Sequence, residues 1–264
     1  MKIELVSREN KAPTLKDPVL VCGLPGSAFV GKFAVDHLAS ELGAKPFAEI
    51  YTDSFPPQVL INENGTAAMI RNELHIWKNS KSGAPGDLIL LTGDAQPQTS
   101  EGEYALAEYI VDYVQRTFGL KRVITLGAYV TGSYAEKPKV FASATSPDLV
   151  KTLEGIGCEL MAEGAITGMN GILVGIAKLK GVEALTLLGE TSGYVFDPKA
   201  SESVLNSLSK LVQISVDMRK LEDRAKEAQE ALAEMERMRG VQQQQDEETQ
   251  AGPAGERKRL DYIS

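Results

Sequence analysis

Short apolar runs alternate with stretches of helical periodicity over the first 197 residues of the chain. The apolar run at residues 18–22 is followed by a Gly-Leu-Pro-Gly turn, which predicts a buried strand. From residue 27 to 42, apolar residues recur at helical spacing, with Phe29, Val30 and Phe33 facing inward. Gly43 follows as a stop signal, so this segment is predicted to be a helix.

The same patterns predict the remaining elements of an α/β domain over residues 1–197. Asn64-Gly65 between extended segments indicates a hairpin, within an excursion over residues 57–77. Alternation of strands and helices predicts three layers, with a mostly parallel sheet covered by helices on both faces. The predicted strands are 47–51, 59–62, 67–71, 74–77, 87–92, 122–126, 140–143, 159–161 and 184–188, and the predicted helices are 103–118, 146–155 and 171–180.

The C-terminal third of the chain changes character. Between Ser201 and Gly240 there is neither glycine nor proline, and strong helix formers dominate, which predicts one long helix over residues 198–239. A helix of about 39 residues extends about 58 Å. Its apolar residues recur in steps of three and four, the spacing of a coiled-coil seam: Leu211, Ile214, Met218, Leu221, Ala225, Ala228, Leu232 and Met235.

Two arrangements of this helix fit the sequence. The apolar stripe can pack back onto the sheet, most plausibly in its first half, where Val204, Leu205 and Leu208 widen it. Beyond Met218 the apolar residues are confined to the narrow seam, and charged residues flank it on both sides. This pattern is typical of a contact between helices of different subunits. Small alanines at the centre of the seam bury little area, so such a coil would be weak without assembly of the core.

Residues 240–264 are predicted to form a flexible tail. Glutamines, acidic residues and a Gly-Pro-Ala-Gly stretch cannot form a core. Hydrophobic and aromatic residues nevertheless return at its end, which suggests a short motif that becomes ordered on a partner. The candidate partner-binding residues are Leu260, Tyr262, Ile263 and Ser264.

Composition narrows the class of function. The net charge of −8 gives no basic surface for nucleic acid and no attraction to an anionic membrane. Neither a signal peptide nor an apolar run long enough to span a membrane is found. Two cysteines, Cys22 and Cys158, indicate a reducing compartment. The expected location is cytoplasmic, with Cys22 as a small buried hydrophobe.

One stretch is similar to a phosphate-binding loop, but it lacks a required residue. Residues 26–33 follow a strand, enter a helix and match the pattern at every fixed position except the last. There Phe33 replaces the Ser or Thr whose hydroxyl binds Mg²⁺, so nucleotide hydrolysis is not expected, although weak anion binding near Gly26 and Ser27 stays open. Asp94, at another strand end, has no complete partner for metal chemistry.

Other candidate chemistry is sparse. The two histidines, His37 and His75, have no companion ligands at metal spacing, so neither a metal nor a cofactor is predicted. Glycine-rich stretches at residues 127–132, 164–175 and 189–193 lie at strand ends or open helices. In α/β sheets such positions bind ligands, and they equally suit a close subunit interface.

Five stretches together resemble the proteasome assembly chaperone two family in its archaeal form. They are GLPGSAFVGK at 23–32, TGDAQP at 92–97, LGAYVTG at 126–132, ITGMNGIL at 166–173 and LLGETSGY at 187–194. The similarity covers about residues 1–215, in order. It implies a nucleoside-phosphorylase-like fold without catalytic residues or cofactors, a homotetramer or homopentamer, and ATP-independent action on the 20S proteasome.

The resemblance also implies docking of C-terminal tails between the α-subunits of the proteasome. Family tails place tyrosine second from the end, whereas Tyr262 is third from the end and follows Asp261. A shifted register would let Leu260 or Ile263 supply the hydrophobic contact. Two alternatives stay open: an enzyme similar to nucleoside phosphorylases or hydrolases that uses the glycine-rich loops, and a purely structural oligomeric scaffold.

Overall fold

A nine-stranded sheet forms the middle of the fold. The computed structural model describes residues 1–79, 86–194, 196–221 and 223, all within the first of two units, Met1–Ala225. The strands described are β1 (Ile3–Ser7), β2 (Val19–Cys22), β3 (Lys45–Thr52), β4 (Val59–Ile61), β5 (Ala67–Met69), β6 (Asn72–Trp77), β7 (Leu88–Gly93), β8 (Arg122–Val130), β9 (Val140–Ala144), β10 (Glu159–Leu160) and β11 (Glu183–Thr191). The helices are α1 (Val30–Leu42), α2 (Ser100–Phe118), α3 (Pro147–Gly155), α4 (Gly168–Leu179) and α5 (Pro198–Leu211).

The sheet is mixed, so the prediction of a mostly parallel sheet is wrong. Its strand order is β1-β3-β6-β7-β2-β8-β11-β9-β10. Parallel pairing joins β7, β2, β8 and β11 in the centre and β9 to β10, while β1–β3, β3–β6, β6–β7 and β9–β11 are antiparallel. The connection from β6 to β7 is residues 78–87, too short for the crossover that parallel neighbours need.

Helices cover both faces of the sheet, as the three-layer prediction requires. Alternate residues of each central strand face opposite sides, so Leu20 and Cys22 join one core and Val21 joins the other. The first core lies under α2 and α4, and the second under α1, α3 and α5. Cys22 has no solvent exposure, which confirms its prediction as a buried hydrophobe, and burial raises its pKa.

Local signals fix where several helices begin and end. The Thr99 hydroxyl accepts a hydrogen bond from the Gly102 backbone N–H at 3.1 Å, and Asp197 Oδ1 accepts one from Ala200 at 3.0 Å. Helix α1 begins three residues later than predicted, because Ala28 and Phe29 adopt left-handed backbone angles. Phe29 is consequently 42% exposed, so its predicted inward orientation is wrong.

At the margin of the fold, one prediction is confirmed and one strand was missed. The hairpin at Asn64-Gly65 is confirmed: β4 and β5 pair as a separate two-stranded sheet in which Ile61 and Met69 are largely exposed. Strand β1 was not predicted, because it lies at the edge of the main sheet with mostly exposed side chains. An edge strand of this kind has little apolar periodicity to detect.

The helix predicted to run from residue 198 to 239 is interrupted: α5 ends at Leu211, and residues 219–221 are helical again. Residues 214–218 are not helical, and Gln213 adopts a left-handed φ of 52°. Val212, Ile214 and Val216 alternate with exposed polar residues, so this stretch also has the two-residue period of an extended chain. Its β-branched, Ser and Asp residues have low helix propensity, which favours the break.

The residues after α5 pack on the second core of the same chain. Leu211, Ile214 and Met218 are partly buried against this core, and Leu221 belongs to it with no exposed surface. His37 Nε2 hydrogen-bonds the Asp217 carbonyl oxygen at 2.7 Å, and Lys220 pairs with Glu41 at 2.7 Å. We call residues 212–221 the C-terminal segment. The first four seam positions therefore lie in the fold of one subunit, which is the other arrangement that the sequence left open.

Candidate functional site

The strand order creates a natural crevice at one edge of the sheet. Strands β2 and β7 are parallel neighbours, yet α1 after β2 packs on the second core and α2 after β7 packs on the first. Because the two connections leave toward opposite faces, a gap opens outside the carboxyl ends of these strands. Ligands of open α/β sheets bind at such points.

A cavity of about 720 Å³, which we call the carboxyl-edge cleft, occupies this position. All five stretches that the sequence analysis identified contribute to its wall. The stretch after β7 contributes one residue, Gln96. Its lining residues include Leu24, Gly26, Ser27, Gly31, Gln96, Glu103, Gly127, Ala128, Tyr129, Val130, Met161, Ala165, Ile166, Thr167, Gly168, Asn170 and Leu188. The folded chain thus brings together motifs that are separated by more than 100 residues in sequence.

Gln96 holds two walls of the cleft together. Its Nε2 donates to the Pro25 carbonyl oxygen at 2.6 Å, and its Oε1 accepts from the Met169 backbone N–H at 2.9 Å. The loop after β2 and the start of α4 are therefore connected through one side chain from the loop after β7. Both ends of the amide are engaged, so the role of Gln96 is to position the cleft.

Close backbone packing explains two glycines of the motifs. A Cβ atom on Gly31 would lie 2.0 Å from the Leu126 carbonyl oxygen, and one on Gly127 would lie 2.3 Å from Asn170 Nδ2. Glycine at these positions lets α1 and α4 approach β8 directly. Gly31, the second glycine of the stretch that matched a phosphate-binding pattern, is thus required by packing.

The lysine of the same pattern is engaged within the protein. Lys32 Nζ lies 2.9 Å from Asp36 Oδ2 and 3.4 Å from the Thr92 hydroxyl, which itself donates to Asp36 at 2.5 Å. Phe33, at the position of the Mg²⁺-binding hydroxyl, packs against Phe196 with ring centroids 3.9 Å apart. Asp94 accepts a hydrogen bond from the Arg71 backbone N–H at 3.1 Å. These contacts hold α1 and the neighbouring loops in place.

Polar side chains remain available inside the cleft. Glu103, in the first turn of α2, makes no side-chain hydrogen bond or ion pair with any described residue, and burial raises its pKa. The Asn170 side-chain amide likewise has no hydrogen-bond partner in the described part of the chain. Ser27 and Thr167 add hydroxyl groups to the wall. The arrangement can accept and donate hydrogen bonds to a small molecule.

Aromatic and aliphatic side chains are exposed around the same edge. Phe29 and Phe196 lie 6.0 Å apart between ring centroids, and both are more than 40% exposed. Val130 lines the cleft with 54% exposure and lies beside Gly193, which immediately precedes the largely exposed Tyr194. The edge therefore combines a polar cavity with an apolar border.

The site residues predicted from the tail lie outside the described residues. This applies to Leu260, Tyr262, Ile263 and Ser264, and also to the seam positions Ala225, Ala228, Leu232 and Met235. Within the described part, no group of three His, Cys, Asp or Glu side chains is placed to hold a metal ion. No helix in that part has the length and apolarity needed to cross a membrane.

Two polar residues of the cleft were missed at the level of sequence. Glu103 resembles an ordinary acidic residue in the first turn of a helix, where a negative charge interacts favourably with the helix dipole. Asn170 lies inside a recognised motif but adjoins apolar residues in a helix. Only the meeting of α2, α4 and β8 assigns them to one cavity.

Comparisons with known proteins agree on one family. The model of the PAC2 family matches residues 20–236. Among solved structures, PbaB of Pyrococcus furiosus, described as an archaeal proteasome activator, is 38% identical and superposes with a TM-score of 0.83, over 89% of this chain and 98% of that one.

Two further relatives extend the comparison. PbaA of Pyrococcus furiosus, described as an archaeal homologue of proteasome-assembly chaperone, is 26% identical with a TM-score of 0.74, over 94% of this chain and 98% of that one. An uncharacterised protein of Methanocaldococcus jannaschii is 32% identical over 99% of this chain and 98% of its own length.

Proposed function

Because the chain belongs to the PAC2 family, we propose that it is a non-enzymatic proteasome assembly chaperone or ATP-independent proteasome activator. Its partner is the 20S proteasome, and it acts in the cytoplasm as a homo-oligomer. The observation that supports this proposal is the likeness to PbaB at 38% identity, which extends over 98% of that activator.

The finer part of the proposal concerns how the partner is bound. The tail residues Leu260, Tyr262, Ile263 and Ser264 dock in pockets between α-subunits, with Tyr262 as the aromatic anchor. One such tail has little contact area. Several tails on one oligomer raise the effective concentration of the remaining tails once the first has bound, so weak contacts sum to useful avidity.

The last four positions of the predicted seam form the second part of the proposal, which concerns contacts between subunits. Ala225, Ala228, Leu232 and Met235 keep the three-and-four spacing beyond the C-terminal segment, and we assign them to helix contacts between subunits. The first half of the predicted seam packs within one chain, so the contact is short. The oligomer must then depend mainly on surfaces of the α/β unit.

Deletion of residues 260–264 tests tail docking. We expect the deletion to abolish co-sedimentation of the full-length oligomer with purified archaeal 20S proteasomes, and to leave its mass in light scattering unchanged. The matched control deletes residues 251–255, which removes the same number of residues from the linker and keeps the terminal motif. That variant should still bind.

Peptidase activity separates the two roles. Faster hydrolysis of a fluorogenic peptide by 20S particles in the presence of the intact chain would assign activation, and binding without stimulation would assign an assembly role. Unchanged binding after removal of residues 260–264 would contradict tail docking. If truncation at Gly240 also changes no partner interaction, the chain is a structural scaffold.

A further inference from the structure

We propose that the carboxyl-edge cleft binds a small organic amine, whose ammonium group pairs with Glu103 and whose apolar body lies along the wall of the cleft. This inference does not depend on the proposed function, which uses the C-terminal tail and leaves the cleft without a role. It assigns a ligand class from the charge, the space and the surface of the cavity.

The charge of the cleft favours a cation. Among the described lining residues there is one carboxylate, Glu103, and there is no lysine, arginine or histidine. Anions would meet a negative group without compensation, in a protein whose net charge is already −8. An ammonium group would instead supply the ion pair that Glu103 lacks within the described structure. Charge-assisted hydrogen bonds of this kind are stronger than neutral ones.

Gly168 leaves room beside this carboxylate. Gly168 has a φ of +70°, and a Cβ there would lie 2.9 Å from Gln96 Oε1 and 3.7 Å from Glu103 Oε1. A side chain at residue 168 would therefore enter the space in front of both groups. Gly26, on the opposite loop, also contributes no side chain to the cleft. The open space thus borders the unpaired acid.

The remaining surface suits a compact organic molecule. Asn170, Ser27 and Thr167 provide hydrogen-bonding groups, so a ligand can carry polar substituents besides its amine. The wall is mainly polar, and its apolar part includes Leu24, Val130, Met161, Ile166 and Leu188. A volume of about 720 Å³ lies within the range of small-molecule sites, about 300–1,000 Å³.

Calorimetric titration of the full chain with matched ligands tests the charge requirement. The probes are butylamine, phenethylamine and tyramine, the corresponding alcohols butanol, phenethyl alcohol and tyrosol, and the anion phenylacetate. We expect at least one amine to bind saturably and its alcohol to bind at least about tenfold more weakly, because hydrogen bonds to charged groups are stronger. Phenylacetate should show no binding.

Two substitutions test whether the amine binds at Glu103. Glu103→Gln keeps the shape of the side chain and removes its charge, so the affinity for the amine should fall about 10- to 100-fold. Glu101→Gln is the matched control, because Glu101 lies in the same first turn but is exposed and does not line the cleft. Its affinity for the amine should equal that of the unmodified chain. That result would exclude the explanation that the amine is only attracted to the overall negative charge of the protein.

A third variant fills the cleft without removing charge. Gly26 has extended backbone angles, and its nearest neighbour to a Cβ is 3.6 Å away, so Gly26→Leu should fold and abolish amine binding. Equal affinity of Glu103→Gln and the unmodified chain would overturn the proposal. So would equal binding of amine and alcohol, or no binding of any of the three amines. These readouts involve no proteasome, so their failure is distinct from failure of tail docking.

Discussion

Replacing Leu221 with alanine tests whether the C-terminal segment packs within its own subunit. Leu221 has no exposed surface and belongs to the second core, although its spacing in the sequence fits a seam between subunits. If it packs within one chain, its truncation removes buried apolar contacts from each subunit separately. The loss of stability should then be the same whether subunits are associated or not.

The expected size of this loss follows from the burial. Leu→Ala at buried sites lowers the free energy of unfolding by about 2–5 kcal/mol. Leu221 lies at the margin of the core, where the C-terminal segment can relax into the vacated space, so we expect about 2–3 kcal/mol. For a chain of this size, that change lowers the Tm by roughly 5–10 °C.

Thermal and denaturant unfolding followed by circular dichroism, at two protein concentrations tenfold apart, would measure the effect. The matched control is Lys220→Ala, which removes an exposed ion pair to Glu41 in the same segment. Exposed ion pairs contribute about 0–1 kcal/mol, so the control should stay within that range. The difference between Leu221→Ala and the unmodified chain should not depend on concentration.

Either of two results would refute the reasoning. A loss below about 0.5 kcal/mol would mean that Leu221 is not buried in solution, since only surface substitutions have effects that small. A loss that grows as the protein is diluted would instead place Leu221 in an interface between subunits, because dissociation then contributes to unfolding.

Two further predictions concern an ion pair on the sheet and the packing of α1 against it. Glu73 has its pKa lowered from 4.5 to about 2 by His75, whose Nε2 lies 3.6 Å from the carboxylate, and by Arg71. Its stabilising contribution is therefore present above pH 4.5 and is lost as pH falls through about 2. Glu73→Gln should be less stable than the unmodified chain in urea titrations near neutral pH, and the difference should shrink on acidification; a constant difference would contradict the assignment. Gly31→Ala should destabilise by about 2–3 kcal/mol or more in urea titrations, because its Cβ meets the Leu126 carbonyl oxygen. Its control, Gly175→Ala in α4, has no atom within 4 Å and should gain about 0.5–1 kcal/mol; equal effects of the two would exclude close packing as the cause.

Much of the secondary structure could be predicted because its signals are local. The apolar run before Gly23, the helical spacing before Gly43 and the Asn64-Gly65 turn each specify an element within a few residues. The five motifs identified the family for the same reason, since they are contiguous in sequence. The buried state of Cys22 followed from its apolar neighbours.

The C-terminal segment shows where local signals conflict. Residues 211–221 satisfy both the three-and-four spacing of a helix and, over 212–217, the two-residue alternation of an extended chain. Propensity over the whole stretch favoured the helix. Burial of Ile214, Met218 and Leu221 on a core built from α1, α3 and α5 favoured the break, and that core exists only after folding.

The sequence by itself determined most of the elements, the family and the absence of a magnesium-binding hydroxyl at Phe33. Only the tertiary structure decided the direction of the strands, the end of α5 and the membership of the carboxyl-edge cleft. The physical reason is that these three depend on contacts between segments far apart in the chain, whereas periodicity and turn chemistry report on neighbours. Glu103 gained its place in a candidate site because α2 and α4 pack side by side, a relation that no local pattern contains.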